Sequence, residues 1–203
     1  MKEYEEWGTG EGIRKWQRCF DCGQSFHGAV QLALGWACWK TYLGRPEADE
    51  HRCDAIGILG GALRDGGKRS EEALPVLEAH LALMRRYWSH DENTILIAQS
   101  CLGNCLADLG RHDEALVLKR ELFAKDVALL GSSHENTILS GNNMTTSMMA
   151  LKLWGEAKTF ARNNLSVANK SLSLDHESVL FACVRLSEAL GRDPAATRDD
   201  PRF

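Results

Sequence analysis

The sequence predicts an all-α protein, an α-solenoid of antiparallel helix pairs stacked in a superhelix, with a short irregular N-terminal segment. Two observations carry this prediction. The words Glu72-Ala73, Glu114-Ala115 and Glu156-Ala157 stand 42 residues apart, and so do His134-Glu135 and His176-Glu177. A fixed period of roughly 20–50 residues marks units that cannot bury their apolar faces alone and therefore stack. Within each period the apolar residues fall at helical spacing. Leu102, Leu106 and Leu109 occupy i, i+4 and i+7 on one helix, and Leu118, Leu122 and Leu129 form the stripe of the next.

Each element follows in chain order. Residues 1–26 read as irregular, with Gly8, Gly10 and Gly12 set among charges and a Cys19-x-x-Cys22 word near the end. A helix is predicted over 27–43, where Val30, Leu34, Cys38 and Tyr42 recur every four residues. It lies 42 residues ahead of the helix at 70–87, so it is the second half of a degenerate leading unit that caps the stack. After a turn at 44–50, helices are predicted over 52–65, 70–87, 93–109, 112–129, 136–152, 155–172 and 176–190. They group into units at 51–89, 90–131, 132–173 and a partial 174–190, all within an array spanning 27–190, followed by a polar tail at 191–203. Gly110 suits a helix C′ position and Asp113 the next helix start. Leu130-Gly131 followed by Ser132-Ser133 is a glycine stop followed by N-cap residues. Gly103, Ala115 and Ala157 are expected where helices cross too closely for a larger side chain. The Glu92-to-Leu96 and Glu135-to-Leu139 words are 43 apart, so one residue slips in the first helix of the unit or its leading turn. The final unit has a first helix and no second, which leaves an apolar face open and predicts self-association at that end.

Composition narrows the function. A net charge of −4 gives no global bias toward nucleic acid. No apolar run reaches the roughly 18–20 residues of a membrane span. The acidic stretch Met1 to Trp7 has no apolar core of a secretory signal. Seven cysteines, an odd number scattered along helices, predict reduced thiols and a cytoplasmic protein.

At His134-Glu135-Asn136-Thr137-Ile138-Leu139, Asn142-Asn143, Glu156-Ala157 and the closing Leu130-Gly131, the chain resembles tetratricopeptide repeats of the long, kinesin-light-chain type. The resemblance covers about residues 50–190. It departs at 53–87, with Gly60-Gly61 and Gly66-Gly67 where leucines are expected, and at Ser178-Val179 in place of Asn-Thr. The resemblance implies that the first helix of each pair, helix A, lines a concave groove. Counting back from the Glu-Ala word pairs Ser100 with Asn142 and Asn104 with Thr146 on that face, with Asn143 beside them. Such amides hydrogen-bond the backbone of an extended peptide. The expected function is a protein–protein interaction scaffold that binds a peptide or protein partner, without catalysis, nucleic acid or membrane.

A second reading comes from Cys19, Cys22 and His27. A CxxC turn can aim two thiolates at one zinc ion, whose tetrahedral shell needs four ligands. Cys38, His51 and Cys53 are candidates to complete it, which makes residues 19–53 a zinc-binding module with accessory repeats. Plain reduced cysteines and a redox dithiol are the other readings; the redox one lacks a preceding strand. The array itself requires no cofactor. His90, His134 and His176 recur at the unit starts and read as turn residues bonding the backbone of the next helix rather than as a metal ladder. Trp7, Trp16, Trp36 and Trp39 cluster early and predict a small core in the capping region. The glycines at 57–67 lack the lysine of a phosphate loop.

Overall fold

The computed structural model describes residues 11–192, and among these the only extended pairing is an isolated antiparallel bridge between Arg18 and Ser25. The chain forms two compact units, one through Leu109 and one from Gly110. The division falls inside the repeat expected at 90–131, between its two helices.

The first unit contains α1 (Glu11–Arg14), α2 (Gly28–Tyr42), α3 (Glu50–Gly61) continuing into a π-helical turn (Ala62–Gly66), α4 (Ser70–Tyr87) and α5 (Glu92–Asp108). The second contains α6 (His112–Leu130), α7 (Glu135–Ala150), α8 (Trp154–Ser171) and α9 (Glu177–Gly191). In the first unit α2 packs on α3, α3 on α4 and α4 on α5. In the second α6 packs on α7, α7 on α8 and α8 on α9, and α7 also meets α9. This is the helix order predicted above, with boundaries displaced by at most two residues apart from the π-turn extension.

The period is written in the helix starts. Four N-cap residues, Asp49, Asp91, His134 and His176, each accept a backbone N–H, from Arg52, Thr94, Asn136 and Ser178 respectively. This satisfies one of the orphan donors of each first turn. The second helices of the pairs begin at Ser70, His112 and Trp154, and Ala73, Ala115 and Ala157 are all fully buried three residues into each. The slipped residue is located: α5 has 17 residues and α7 has 16, and the burial of the two helices runs in step at 42 from Ile97 and Leu139 onward. The extra residue therefore sits in the first turn of α5. Gly110 ends α5 at φ +76°, and Lys152, one period later, holds the same left-handed conformation at φ +61° without the freedom of a glycine.

The glycines of α3 have a packing reason. A Cβ on Gly60 would stand 2.5 Å from Leu77 Cδ2, and one on Gly57 would stand 2.7 Å from the His80 ring. Leucines at such positions would push α3 off α4, so the departure from a leucine-rich repeat reflects close helix approach. One stripe differs from expectation. In α6 the buried row is Ala115, Lys119, Leu122 and Asp126, while Leu129, in the last turn, is exposed. Lys119 Nζ donates to Ser147 Oγ at 3.2 Å, and Ser140 hydrogen-bonds the Asp126 carboxyl, whose pKa burial raises. Both buried charges thus have polar partners on α7.

The segment expected to be irregular is partly ordered. After α1 the chain makes a tight hairpin over residues 17–26, with Cys19 N–H donating to Gln24 O at 2.8 Å and Phe26 N–H to Gln17 O at 2.9 Å. Trp16 and Trp39 pack with Ile13 and Ile58 around buried Cys38, Tyr42 and Ala55, forming the small early core. Trp36 is largely outside it, and Trp7 lies outside the described residues.

Candidate interaction surface

Four helices, α3, α5, α7 and α9, hold the helix A position of their repeats. Packing buries Ala55 on α3 and leaves the same register bare on the other three: Ile97 is 57 % exposed, Leu139 42 % and Phe181 38 %, each 42 residues from the next. Large apolar side chains in water at one repeated register mark a surface that takes a partner more readily than scattered ones do. Steps of i+4 and i+7 give the rest of this row: Cys101 and Asn104 on α5, Asn143 and Thr146 on α7, Arg185 and Glu188 on α9, all partly buried.

In the second unit α7 and α9 pack together, so two of these rows belong to one body. On α9 the Arg185 guanidinium carbon sits 4.7 Å from the Phe181 ring centroid, and Arg185 Nη1 pairs with Glu188 Oε2 at 3.0 Å. The cation–π contact and the ion pair hold the guanidinium beside the ring. Its Nε is shielded from solvent and finds no hydrogen-bond partner among the described residues.

The predicted groove residues divide. Asn104, Asn143 and Thr146 lie on this row, although the Thr146 hydroxyl already donates to Asn142 O at 3.1 Å. Ser100 sits one turn to the side of Ile97 and is partly buried. Asn142 is corrected: it is 1 % exposed, donates from Nδ2 to Ser178 O at 3.1 Å, and accepts on Oδ1 from Asn164 Nδ2 at 2.9 Å. Its amide ties α7 to α8 and α9 and is closed to a peptide. The apolar row was missed in the sequence because a helix A leucine reads as core; the signal available was the 42-residue recurrence of Ile97, Leu139 and Phe181.

The histidines behave as backbone caps at two of three positions. Nδ1 of His134 and of His176 accepts from the amide two residues on, at 3.1 and 3.2 Å, whereas at His90 the following Asp91 does the capping. A shallow cleft of about 420 Å³ lined by Met148, Gly155, Glu156, Thr159, Phe160 and Asn163 contains one carboxylate, and that one pairs with Arg120 at 2.9 Å.

The zinc module expected over 19–53 is not assembled. Cys38 and Cys53 are fully buried, and desolvation pushes both thiols up to about 12, so they are neutral core residues rather than ligands. His51 lies against the Tyr42 ring at 5.5 Å, and His27 is exposed at the N-cap of α2. Among the described residues no three of His, Cys, Asp and Glu come together as a metal group. Cys19 and Cys22 do stay together. Backbone N–H groups of Cys22 and Asp21, and then the Cys22 thiol, hydrogen-bond the Cys19 sulfur and hold its pKa below the ordinary thiol value.

No protein family description and no curated protein matches the sequence. Solved structures do. Two crystal structures of a Podosopora anserina protein described as a kinesin light chain with nearly identical TPR-like repeats, one of them a point variant, superpose with a TM-score of 0.66 each. They are 22 % and 19 % identical in sequence, and each match covers 83 % of this chain and 79 % of the other. The class is therefore a TPR-like helical repeat, as the sequence implied. More particularly, the fold is similar to that of repeats carrying the kinesin-light-chain description.

Proposed function

We propose that the protein is an interaction scaffold whose helix A row takes an extended peptide or a protein segment, without catalysis of its own. The observation that carries this is the pair of exposed apolar side chains Leu139 and Phe181 on the packed helices α7 and α9, with polar neighbours Asn143 and Arg185, and the recurrence of the same exposed register at Ile97 on α5. The exposed apolar side chains supply contact area, and the Asn143 amide supplies a backbone-directed hydrogen bond. Fold likeness supports a scaffold class, since solenoids work by presenting surface. No described helix is long and apolar enough to cross a membrane. Buried, neutral Cys38 and Cys53 favour a reducing, cytoplasmic setting.

A peptide display selection against the full chain, followed by affinity measurement, tests the reading. Leu139→Asp and Phe181→Ala should each weaken the selected peptides by roughly tenfold or more, about 1.4 kcal/mol, with circular dichroism unchanged. Peptides that bind both variants as well as the parent would place the site elsewhere. Self-association is a separate part of the reading: α9 also exposes Leu180, Val184 and Leu190. Sedimentation at two protein concentrations decides it, and a concentration-independent monomer removes it.

A further inference from the structure

Beside the helix A row, α9 turns a second face to solvent. Glu177, Leu180, Cys183, Val184, Ser187 and Leu190 follow helical spacing along it, and all are exposed. On α7 the same register is closed by α8. One period before Leu180, Cys183 and Val184 stand Ile138, Gly141 and Asn142. Ile138 packs with Ala168 and Leu165, and Gly141 and Asn142 both meet Asn164. Leu180 is 54 % exposed where Ile138 is 0 %. Among the described residues no helix does for α9 what α8 does for α7. The face is a helix-packing surface without its helix.

The side chains on it narrow what fills it. Cys183 stands where Gly141 makes room for Asn164, and Val184 where Asn142 supplies that amide with a partner. A covering helix must therefore bring small and apolar residues to the centre rather than an amide. The α9 stripe itself has this make-up, with Leu180 and Leu190 at its ends and Cys183 and Ser187 between them. Its two ends also carry opposite charges, exposed Glu177 in the first turn and exposed Arg192 at the C-cap. We propose that α9 packs antiparallel against α9 of a second copy about a two-fold axis. Leu180 then lies against Leu190 of the second copy, Cys183 against Ser187, and Glu177 beside Arg192, each contact occurring twice by symmetry. The two helix dipoles oppose each other in the same arrangement. This rests on the self-association part of the reading above and does not involve peptide binding at Leu139.

The test is sedimentation of the full, reduced chain over a range of concentrations. A monomer–dimer equilibrium should appear, and Val184→Glu should weaken it by roughly tenfold or more with circular dichroism unchanged. At low salt Glu177→Arg and Arg192→Glu should each weaken the dimer, and the two reversals together should restore it. In a Cys19→Ser, Cys22→Ser background a short bismaleimide should give a covalent dimer that Cys183→Ser abolishes. A dimer untouched by Val184→Glu, or charge reversals that fail to rescue each other, would overturn the α9 pairing. A monomer at every concentration would overturn it too, whether or not the peptide row proves functional. In that monomer, slow amide exchange along α9 would assign the face to residues 193–203, and fast exchange would leave it to a different protein.

Discussion

The joints α3–α4 and α7–α8 occupy the same place in their repeats and are closed in different ways. Gly57 faces His80 in the first, and Gly141 faces Asn164 in the second; each residue of the second pair lies 84 positions, two periods, after its counterpart. A Cβ on either glycine would come within 2.7 Å of the His80 ring or 2.8 Å of Asn164 Oδ1. Asn164 is satisfied: Nδ2 donates to Ile138 O at 3.0 Å and to Asn142 Oδ1 at 2.9 Å. His80 is buried with its Nδ1 unpartnered among the described residues, and desolvation lowers its pKa to about 4. The repeat fixes a close approach and leaves the side chain that fills it open. A polar filler stabilises the joint only when the neighbouring helix supplies its partner.

The first effect should separate the two joints. Asn164→Leu removes the donor, leaving Asn142 Oδ1 without its partner in the core and Ile138 O with its helical bond alone, and should cost roughly 1–3 kcal/mol. His80→Leu should be neutral or stabilising at pH 7, since no hydrogen bond to Nδ1 is lost and the repeat already carries Leu122, 4 % exposed, at the position between them. Urea midpoints decide this; equal losses in the two variants would mean that His80 holds its joint as firmly as Asn164 holds the other.

The second effect is on acid stability. His80 is held neutral, with a folded pKa of about 4 against about 6.5 unfolded. The unfolded chain therefore binds the extra proton, and stability present above pH ~6.5 is lost as pH falls toward 4, by on the order of 3 kcal/mol. Asp54 works in the opposite sense, because burial and then Glu50 raise it to about 6. Its neutral form is favoured in the fold, so its contribution is largest below its unfolded value and fades as pH rises through 6. The measurement is the difference between parent and His80→Leu at pH 7 and 4.5. A parent whose acid limb is no steeper than the variant's would remove His80 from the account.

Smaller changes probe the shared register. Ala157→Leu and Ala73→Leu both enlarge a fully buried position of the Glu-Ala word and should each cost about 1–3 kcal/mol, read as a lower melting temperature. An unchanged melting temperature in one of them would show that the two units do not use that position alike. Smallest is Lys152→Gly, which relieves a left-handed non-glycine residue at the place where α5 uses Gly110 and should stabilise by about 1 kcal/mol. A loss of stability would show that the Lys152 side chain contributes more than its backbone strain costs.

Much of this was legible in the residues. The helices, their period and the slip near α5 follow from spacing, since core positions must repeat wherever units stack. The row on helix A was half legible. Asn104, Asn143 and Thr146 could be placed, while Asn142 was assigned to the surface because an asparagine carries no mark of burial until its partners are known. The cysteines show the same limit: Cys38 and Cys53 look like ligands in a list and are core residues in space, whereas Cys19 and Cys22 needed only local chain geometry to stay together.

By itself the sequence determined the fold class, the helix boundaries and the buried alanines, because these depend on periodicity and on caps a few residues away. Tertiary structure alone decided which polar side chains are enclosed, which apolar ones remain in water, and which histidine lacks a partner. Those outcomes depend on what a neighbouring helix places opposite each residue, and residues 22 apart such as Asn142 and Asn164 become neighbours only after the helices pack.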